Sequence, residues 1–399
     1  MLSSLPRSPT ALPYAAPHAV ADTTASARIA SIDGLRGLVM LLMLVDHTRE
    51  FFFLHAQVSD PMDVAITPPA LFFTRLAAHL CAPVFVALTG IAAWLYAQPR
   101  GGARAASAFL AKRGLFLIAL ELTVVSFAWT FDPTPERTFL QVIWAIGLSM
   151  LALAAVVHLP RAAVAAIGLV ILFGHNLLDP IHVAAGEPGH ALWAVLHDRG
   201  LISLPWGGEA RTSYPLLPWI GVIALGYAAG PWFARGVDAA RRGRALAITG
   251  AAALALFAVL RMINLYGEPL PWAPQPDMTG TAMSFLNLTK YPPSADFLML
   301  TLGTGALLLA GLERVPQMPV RLLAVFGSAP LFFYILHLYV LHALNRLVGA
   351  MLGTDGLVSV PTLGALWLLA GLVAVPCWFA CRRFAAFKRA SGAWWVRYL

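Results

Sequence analysis

Charge is scarce in this chain: Asp, Glu, Lys and Arg together make up 12% of its 399 residues. A soluble domain carries about a quarter of its residues as charges, so a surface turned to water on all sides is excluded. Cysteine is rarer still. Cys81, Cys377 and Cys381 are the only three, and all lie inside apolar runs, where a thiol behaves as a small hydrophobe. Cysteines so few and so placed do not suggest a disulfide framework or a zinc site, although Cys377 and Cys381, one turn apart, could bind a metal. The chain also lacks a Walker loop, HExxH, GxSxG and paired CxxC, which removes support from ATP-driven transport, metalloprotease and serine-hydrolase chemistry. Residues 1–27 hold hardly any bulky aliphatics and consist largely of Ala, Pro, Ser and Thr. Such a stretch cannot bury enough surface to fold, and no apolar core follows a basic start as in a signal peptide. A disordered cytoplasmic tail is expected there.

What is abundant is apolar sequence. Hydrophobic residues reach 59% and the mean hydropathy is +0.74. Runs of spanning length lie near 33–54, 70–97, 109–131, 138–158, 162–179, 214–234, 245–264, 296–312, 321–345 and 359–381. The expected fold is an all-α integral membrane protein with about ten transmembrane helices in one bundle, over residues 28–385, followed by a basic cytoplasmic tail at 386–399. The net charge of +8 and pI near 9.8 could point to nucleic acid, but the Lys and Arg sit in short gaps between apolar runs, as in cytoplasmic loops. No nucleic-acid partner is expected; the bilayer is. Most of the 27 Lys and Arg fall on one side of the predicted spans, which puts both termini in the cytoplasm. Three long loops, near 55–69, 180–213 and 265–295, then lie on the far side, where long ordered loops commonly carry function.

The stretch Ser31–Phe53, SIDGLRGLVMLLMLVDHTREFFF, organises the candidate chemistry. Asp33, Arg36 and His47 fall on one helical face, with Arg36 and His47 about 16 Å apart along it. Ionisable groups inside a span are costly and usually face a cavity or each other. His47, preceded by Asp46 and followed by Arg49, has the chemistry of a general base or a transient nucleophile, and so does His55, a few residues on. Equally, Asp46, His47 and Arg49 could be interfacial residues wetted by headgroups. Arg75 and His79 are one turn apart and point the same way, toward a shared cavity or into interhelical hydrogen bonds. A buried pair between Glu121 and Arg261 would satisfy both of those lone charges. His337 lies near the middle of the ninth run, and Lys290 stands beside two prolines at the end of a far-side loop, able to hold an acidic group or to anchor a helix. Gly303 and Gly305 read as close helix packing.

The blocks IDGLRGLVMLLMLVDHTREFF, TPPALFFTRLAAHLCAPVFVALTG, YPLLPWIGVIALGYAAG, FLNLTKYPPS and GSAPLFFYILHLYVLH resemble a bacterial membrane family. It is the family grouped with the catalytic domain of heparan-α-glucosaminide N-acetyltransferase, within the wider set of transmembrane acyltransferases. The resemblance covers about residues 30–345. More loosely, Arg36 and His47 reproduce the Arg, ten residues, His spacing of the first helix in acyltransferases that modify surface glycans. In the lysosomal enzyme an Asn on the first helix and a His in the next loop serve the reaction; His47 stands at the former position and His55 approximates the latter.

The resemblance implies acyl transfer, with acetyl-CoA or another acyl-CoA entering from the cytoplasm and a sugar or other polar acceptor on the far side. Arg36 would bind a CoA phosphate, oriented by Asp33. His47 or His55 would act as the base or accept the acyl group, with Asp46 raising its basicity. Arg75 or His79 would stabilise the oxyanion, with Lys290 and His337 as further substrate-site candidates. No metal is expected, and a bacterial inner membrane is. The oligomeric state, a homo-oligomer included, is left open by the sequence. Two rival readings share the same residues: a permease that uses the buried charges as a proton relay, and an inactive relative serving as a membrane interaction partner. No repeated pattern between the two halves supports the permease.

Overall fold

The computed structural model describes residues 29–204, 207–354, 358–393 and 396. The expected tail at 1–27 lies outside the described residues, as do 394–395 and 397–399 of the expected C-terminal tail. Among the described residues fifteen α-helices follow one another: α1 (Ala30–Phe52), α2 (Pro69–Ala78), α3 (Cys81–Ala97), α4 (Ala103–Leu120), α5 (Ser126–Thr130), α6 (Val142–Val156), α7 (Arg161–Gly174), α8 (His190–Leu196), α9 (Leu217–Ala229), α10 (Ala239–Ile263), α11 (Met278–Leu286), α12 (Ala295–Leu312), α13 (Gln317–Gly327), α14 (Pro330–Leu352) and α15 (Leu363–Ala390). Six helical segments among the described residues are long and apolar enough to cross a membrane: Pro69–Ala97, Arg161–Leu178, Ala239–Ile263, Ala295–Leu312, Pro330–Leu352 and Leu363–Ala390. The chain is therefore an all-α membrane protein. A small sheet that the hydropathy pattern did not suggest joins β1 (Arg137–Leu140), β2 (Leu201–Ser203) and β3 (Glu209–Thr212) in the order β1-β3-β2, with β1 parallel and β2 antiparallel to β3. Strands β2 and β3 belong to the long loop at 180–213, and β1 to the connection between α5 and α6.

Helix α1 is the hub. It touches α2, α3, α12, α13, α14 and α15, and buries Leu35, Val39, Met40 and Leu44 among them. Asp33 in its first turn and Arg49 in its last complement the helix dipole. The contact with α13 is backbone to backbone: a Cβ at Gly37 would lie 1.9 Å from the Leu323 carbonyl oxygen, and one at Gly327 1.9 Å from that of Asp33. Small residues allow such approaches between membrane helices. Gly303 of α12 plays the expected packing part, since its Cβ would lie 3.1 Å from the Gly250 carbonyl oxygen of α10.

Three local features depart from the sequence pattern. The apolar run at 321–345 is two helices, because Pro330 cannot continue α13 and drives Ala329 out of the helical region, to φ −138° and ψ 58°. The helix through 103–130 is interrupted at Glu121–Val125 by a π turn, a feature often found at functional sites. The expected Glu121–Arg261 pair does not form. The Glu121 carboxylate accepts the Trp144 backbone N–H at 3.2 Å. Arg261, in the last turn of α10, donates to four carbonyls of the following loop, those of Phe285, Leu270, Ser284 and Asn287, at 2.7–3.0 Å. A guanidinium has five donors, and a folded loop above a helix end offers more acceptors than one carboxylate does.

Candidate active site

The C-terminal half of α1 meets the middle of α14, and the meeting point is a histidine pair. His47 Nδ1 lies 2.7 Å from His337 Nε2, and His337 Nδ1 lies 2.7 Å from the Phe333 carbonyl oxygen, one turn back in its own helix. A carbonyl oxygen only accepts, so His337 carries its proton on Nδ1 and presents a lone pair at Nε2. His47 must then donate from Nδ1, which leaves the lone pair of its own Nε2 unshared. Trp129 packs edge-on against the His47 ring, 5.1 Å between centroids, and Tyr334 at 6.0 Å. The pair thus fixes both the tautomer and the tilt of His47.

Asp46, the neighbour of His47, shares no hydrogen bond with it among the described residues, so any influence on the ring acts through space. Successive helical residues point about 100° apart. The Asp46 carboxylate instead accepts from Arg49 Nε at 3.2 Å and from the Arg75 guanidinium. Arg75 also donates to Asp60 at 2.6 Å, and His79, one turn on, faces the same Asp60 with Nε2 at 3.9 Å. Burial alone would push the Asp60 carboxyl up, but Arg75, with His79 and Lys290, together more than offset it, so Asp60 ionises below the ordinary carboxylate value. Arg75 and His79 do point the same way, as their spacing predicts, yet into this ion network.

Beside His47 lies a cavity of about 120 Å³, room for several waters or a small acyl group. Polar groups on its wall include Asp46, His47, Lys290, Tyr214, Tyr334 and Arg113, among apolar residues of α1, α3, α4, α6 and α14. Lys290 is buried, and among the described residues its ammonium has no carboxylate partner, only the Tyr291 ring 5.1 Å away. Its loop is pinned from below. Glu268 accepts from Thr289 N, Thr289 Oγ1 and Ser294 Oγ at 2.5–2.9 Å, and Asn287 exchanges hydrogen bonds with the backbone of Met62. The Tyr334 hydroxyl is buried beside the Trp129 indole. The Tyr214 hydroxyl accepts from the Tyr291 hydroxyl at 3.3 Å.

Of the residues singled out in the sequence, the structure gathers Asp46, His47 and Lys290 on the cavity wall, with His337 directly behind His47. Arg75 and His79 stand one layer away. Asp33 and Arg36 pair with each other at 3.2 Å, at the opposite end of α1. His55 is exposed on a single 3-10 turn, Leu54–Ala56, packed on Phe53 and off the cavity. Sequence reasoning gave no role to Tyr214, Tyr334 or Arg113. Arg113 counts as a loop cation by hydropathy, yet it lies well inside α4; its spacing one turn before Leu117, on the buried face, is the only signal.

Fold and cavity together define a class: a polytopic helical membrane protein with a histidine and cationic side chains around a small internal cavity. The family model described as heparan-alpha-glucosaminide N-acetyltransferase, catalytic, matches residues 28–262, and the chain belongs to that family. The blocks at 285–294 and 327–342, which hold Lys290 and His337, lie beyond the matched residues. No curated protein matches the chain.

Proposed function

We propose that the protein is a transmembrane acyltransferase, most simply an acetyltransferase, that passes an acyl group from cytoplasmic acyl-CoA to a sugar or other polar acceptor on the opposite side. The observation that carries this reading is His47, held by His337 with its Nε2 lone pair unshared at a cavity that also presents Lys290. Family membership supports the transferase class. The six long apolar helices, joined by α1, the broken helix over 103–130, α6 and the 217–233 segment, support the ten-span topology. The excess of Lys and Arg on one side supports cytoplasmic termini in a bacterial inner membrane.

In this scheme the acceptor N–H or O–H attacks the thioester carbonyl while its proton passes to His47 Nε2. The Lys290 ammonium and the Tyr334 hydroxyl are placed to stabilise the oxyanion. Collapse breaks the C–S bond, and the His47 proton goes to the departing CoA thiolate. A buried positive charge on His47 would be shared through the hydrogen bond to His337. Arg113, on the cavity wall within α4, and Arg36, with Asp33 at the other end of α1, would hold CoA phosphates. Saturable binding of radiolabelled acetyl-CoA to the purified protein, weakened in Arg36→Ala and Arg113→Ala, would support the reading. Folded protein that binds no acetyl-CoA, but carries solute down a gradient, would replace it with the permease.

A further inference from the structure

We infer that His175, Asp179 and His197 form a binding site for a first-row divalent cation, with zinc the best match to the ligand set. The site lies away from the histidine pair of the cavity, where α7 gives way to the long loop. Residues His175–Leu178 tighten into a 3-10 turn after α7, and His197 closes the C-terminus of α8, so a separation of 22 positions becomes a contact. One nitrogen from each imidazole and one Asp179 oxygen all lie within 4.8 Å of one another. His197 Nε2 and Asp179 Oδ1 are 3.4 Å apart. Bonds of about 2.0–2.1 Å to a tetrahedral ion set neighbouring ligand atoms roughly 3.3–3.5 Å apart.

His175 supplies the independent observation. Its side chain is buried, at 2% exposure, and among the described residues neither ring nitrogen has a hydrogen-bond partner. A buried imidazole in that state is far from the usual condition of buried polar groups. A cation between it and the other two ligands would satisfy it. The surrounding groups are arranged to present the ligands. Asn176 Nδ2 donates to Asp179 Oδ2 at 2.8 Å and leaves Oδ1 turned toward His197. Asp198 Oδ1 lies 3.5 Å from His197 Nδ1, and Trp193 stacks on the same ring. A carboxylate behind the non-ligating nitrogen is the usual means of fixing a metal-bound histidine. The His175 carbonyl oxygen, 3.0 Å from His197 Nε2, is the competing partner for that nitrogen, as acceptor of a proton that metal binding would release.

Two imidazoles and one carboxylate select zinc or a neighbouring transition metal over calcium or magnesium, which prefer all-oxygen shells. With Asp179 half-buried, the site is open to ions from the loop side. Its effect would be to clamp the end of α7 to the end of α8, and through Asn176, whose Oδ1 accepts Ala295 N at 2.9 Å, to the start of α12. The sequence-based expectation of no metal rested on short motifs, and ligands at i, i+4 and i+22 make none.

The test is cobalt titration of the full chain after chelator treatment in detergent. One equivalent of Co²⁺ should give the visible d–d band of a four-coordinate site and be displaced by Zn²⁺, and Zn²⁺ should raise the unfolding temperature. Asp179→Asn and His197→Gln should each weaken binding by on the order of 100-fold, at least what loss of an outer-shell partner costs. His47→Ala, outside the site, should bind as the unaltered protein does, which separates this proposal from the acyl-transfer reading. Absence of a cobalt band in folded, unaltered protein would overturn the proposal. So would binding that is unchanged in both ligand variants.

Discussion

His47 on α1 and His337 on α14, 290 positions apart, share a 2.7 Å hydrogen bond whose direction is set by the Phe333 carbonyl behind it. Loss of His337 should therefore act through the orientation and tautomer of His47. His337→Ala is expected to lower kcat by roughly 10- to 100-fold, less than the ~10²–10⁴ of removing the base itself, with KM for acetyl-CoA little changed. Steady-state kinetics of the variant, with its pH profile, check this: a merely structural role would lower the yield of folded protein and leave kcat and its pH dependence as they were.

Lys290 reaches the cavity from a loop and has no carboxylate to neutralise it among the described residues. Lys290→Met should cost about 10²–10³ in kcat if the ammonium meets a developing oxyanion, and Lys290→Arg should restore part of it. Equal kcat in Lys290→Met and unaltered protein would remove Lys290 from the chemistry.

Arg261 acts on the same loop from outside the cavity. Its four hydrogen bonds to backbone carbonyls hold the segment from Leu270 to Asn287 against α10. Arg261→Met should expose that segment to limited proteolysis and reduce activity along with it. A proteolytic pattern identical to that of the unaltered protein would show that the loop is held by other contacts.

The α1–α13 crossing predicts a contrast between two glycines. Gly37→Ala drives a methyl into the Leu323 carbonyl and should cost about 1–3 kcal/mol. Gly371→Ala, in α15 where a Cβ meets open space, should be neutral or slightly stabilising. Thermal unfolding of both in detergent measures the difference.

Asp60 gives the fold a defined acid limb. Its ionisation is shifted below the ordinary 3.8 because Arg75, joined by His79 and Lys290, outweighs burial, so its stabilising contribution is present above that value and is lost as pH falls through the shifted one. The difference in unfolding temperature between unaltered protein and Asp60→Asn should stay level from pH 7 to about 5 and shrink below about 4. A difference that instead grows on acidification would contradict the Arg75–Asp60 pairing as its source.

Much of this was legible in the chain because a bilayer makes charge conspicuous. Asp46, His47, Lys290 and His337 stand out as polar letters in apolar or far-side sequence, and three of them do line one cavity with the fourth behind. Their partners were not legible. Asp46 turns to Arg49 and Arg75 and leaves His47 to a residue on another helix, which only the packing of α1 on α14 decides. The split of α13 from α14 was available in Pro330 but hidden by unbroken hydropathy. Arg113 looked like a loop cation because hydropathy blurs the start of α4. The His175, Asp179 and His197 cluster depends on how a long loop folds back, for which period and composition carry no signal.

The central claim is that His47 is the base of an acyl transfer from acyl-CoA. It is tested most directly by the rate of CoA release from acetyl-CoA, with glucosamine as trial acceptor, in purified unaltered protein, His47→Ala and His55→Ala. The account predicts release by the unaltered protein and by His55→Ala, reduced by about 10²–10⁴ in folded His47→Ala. Release at the same rate in His47→Ala would contradict it.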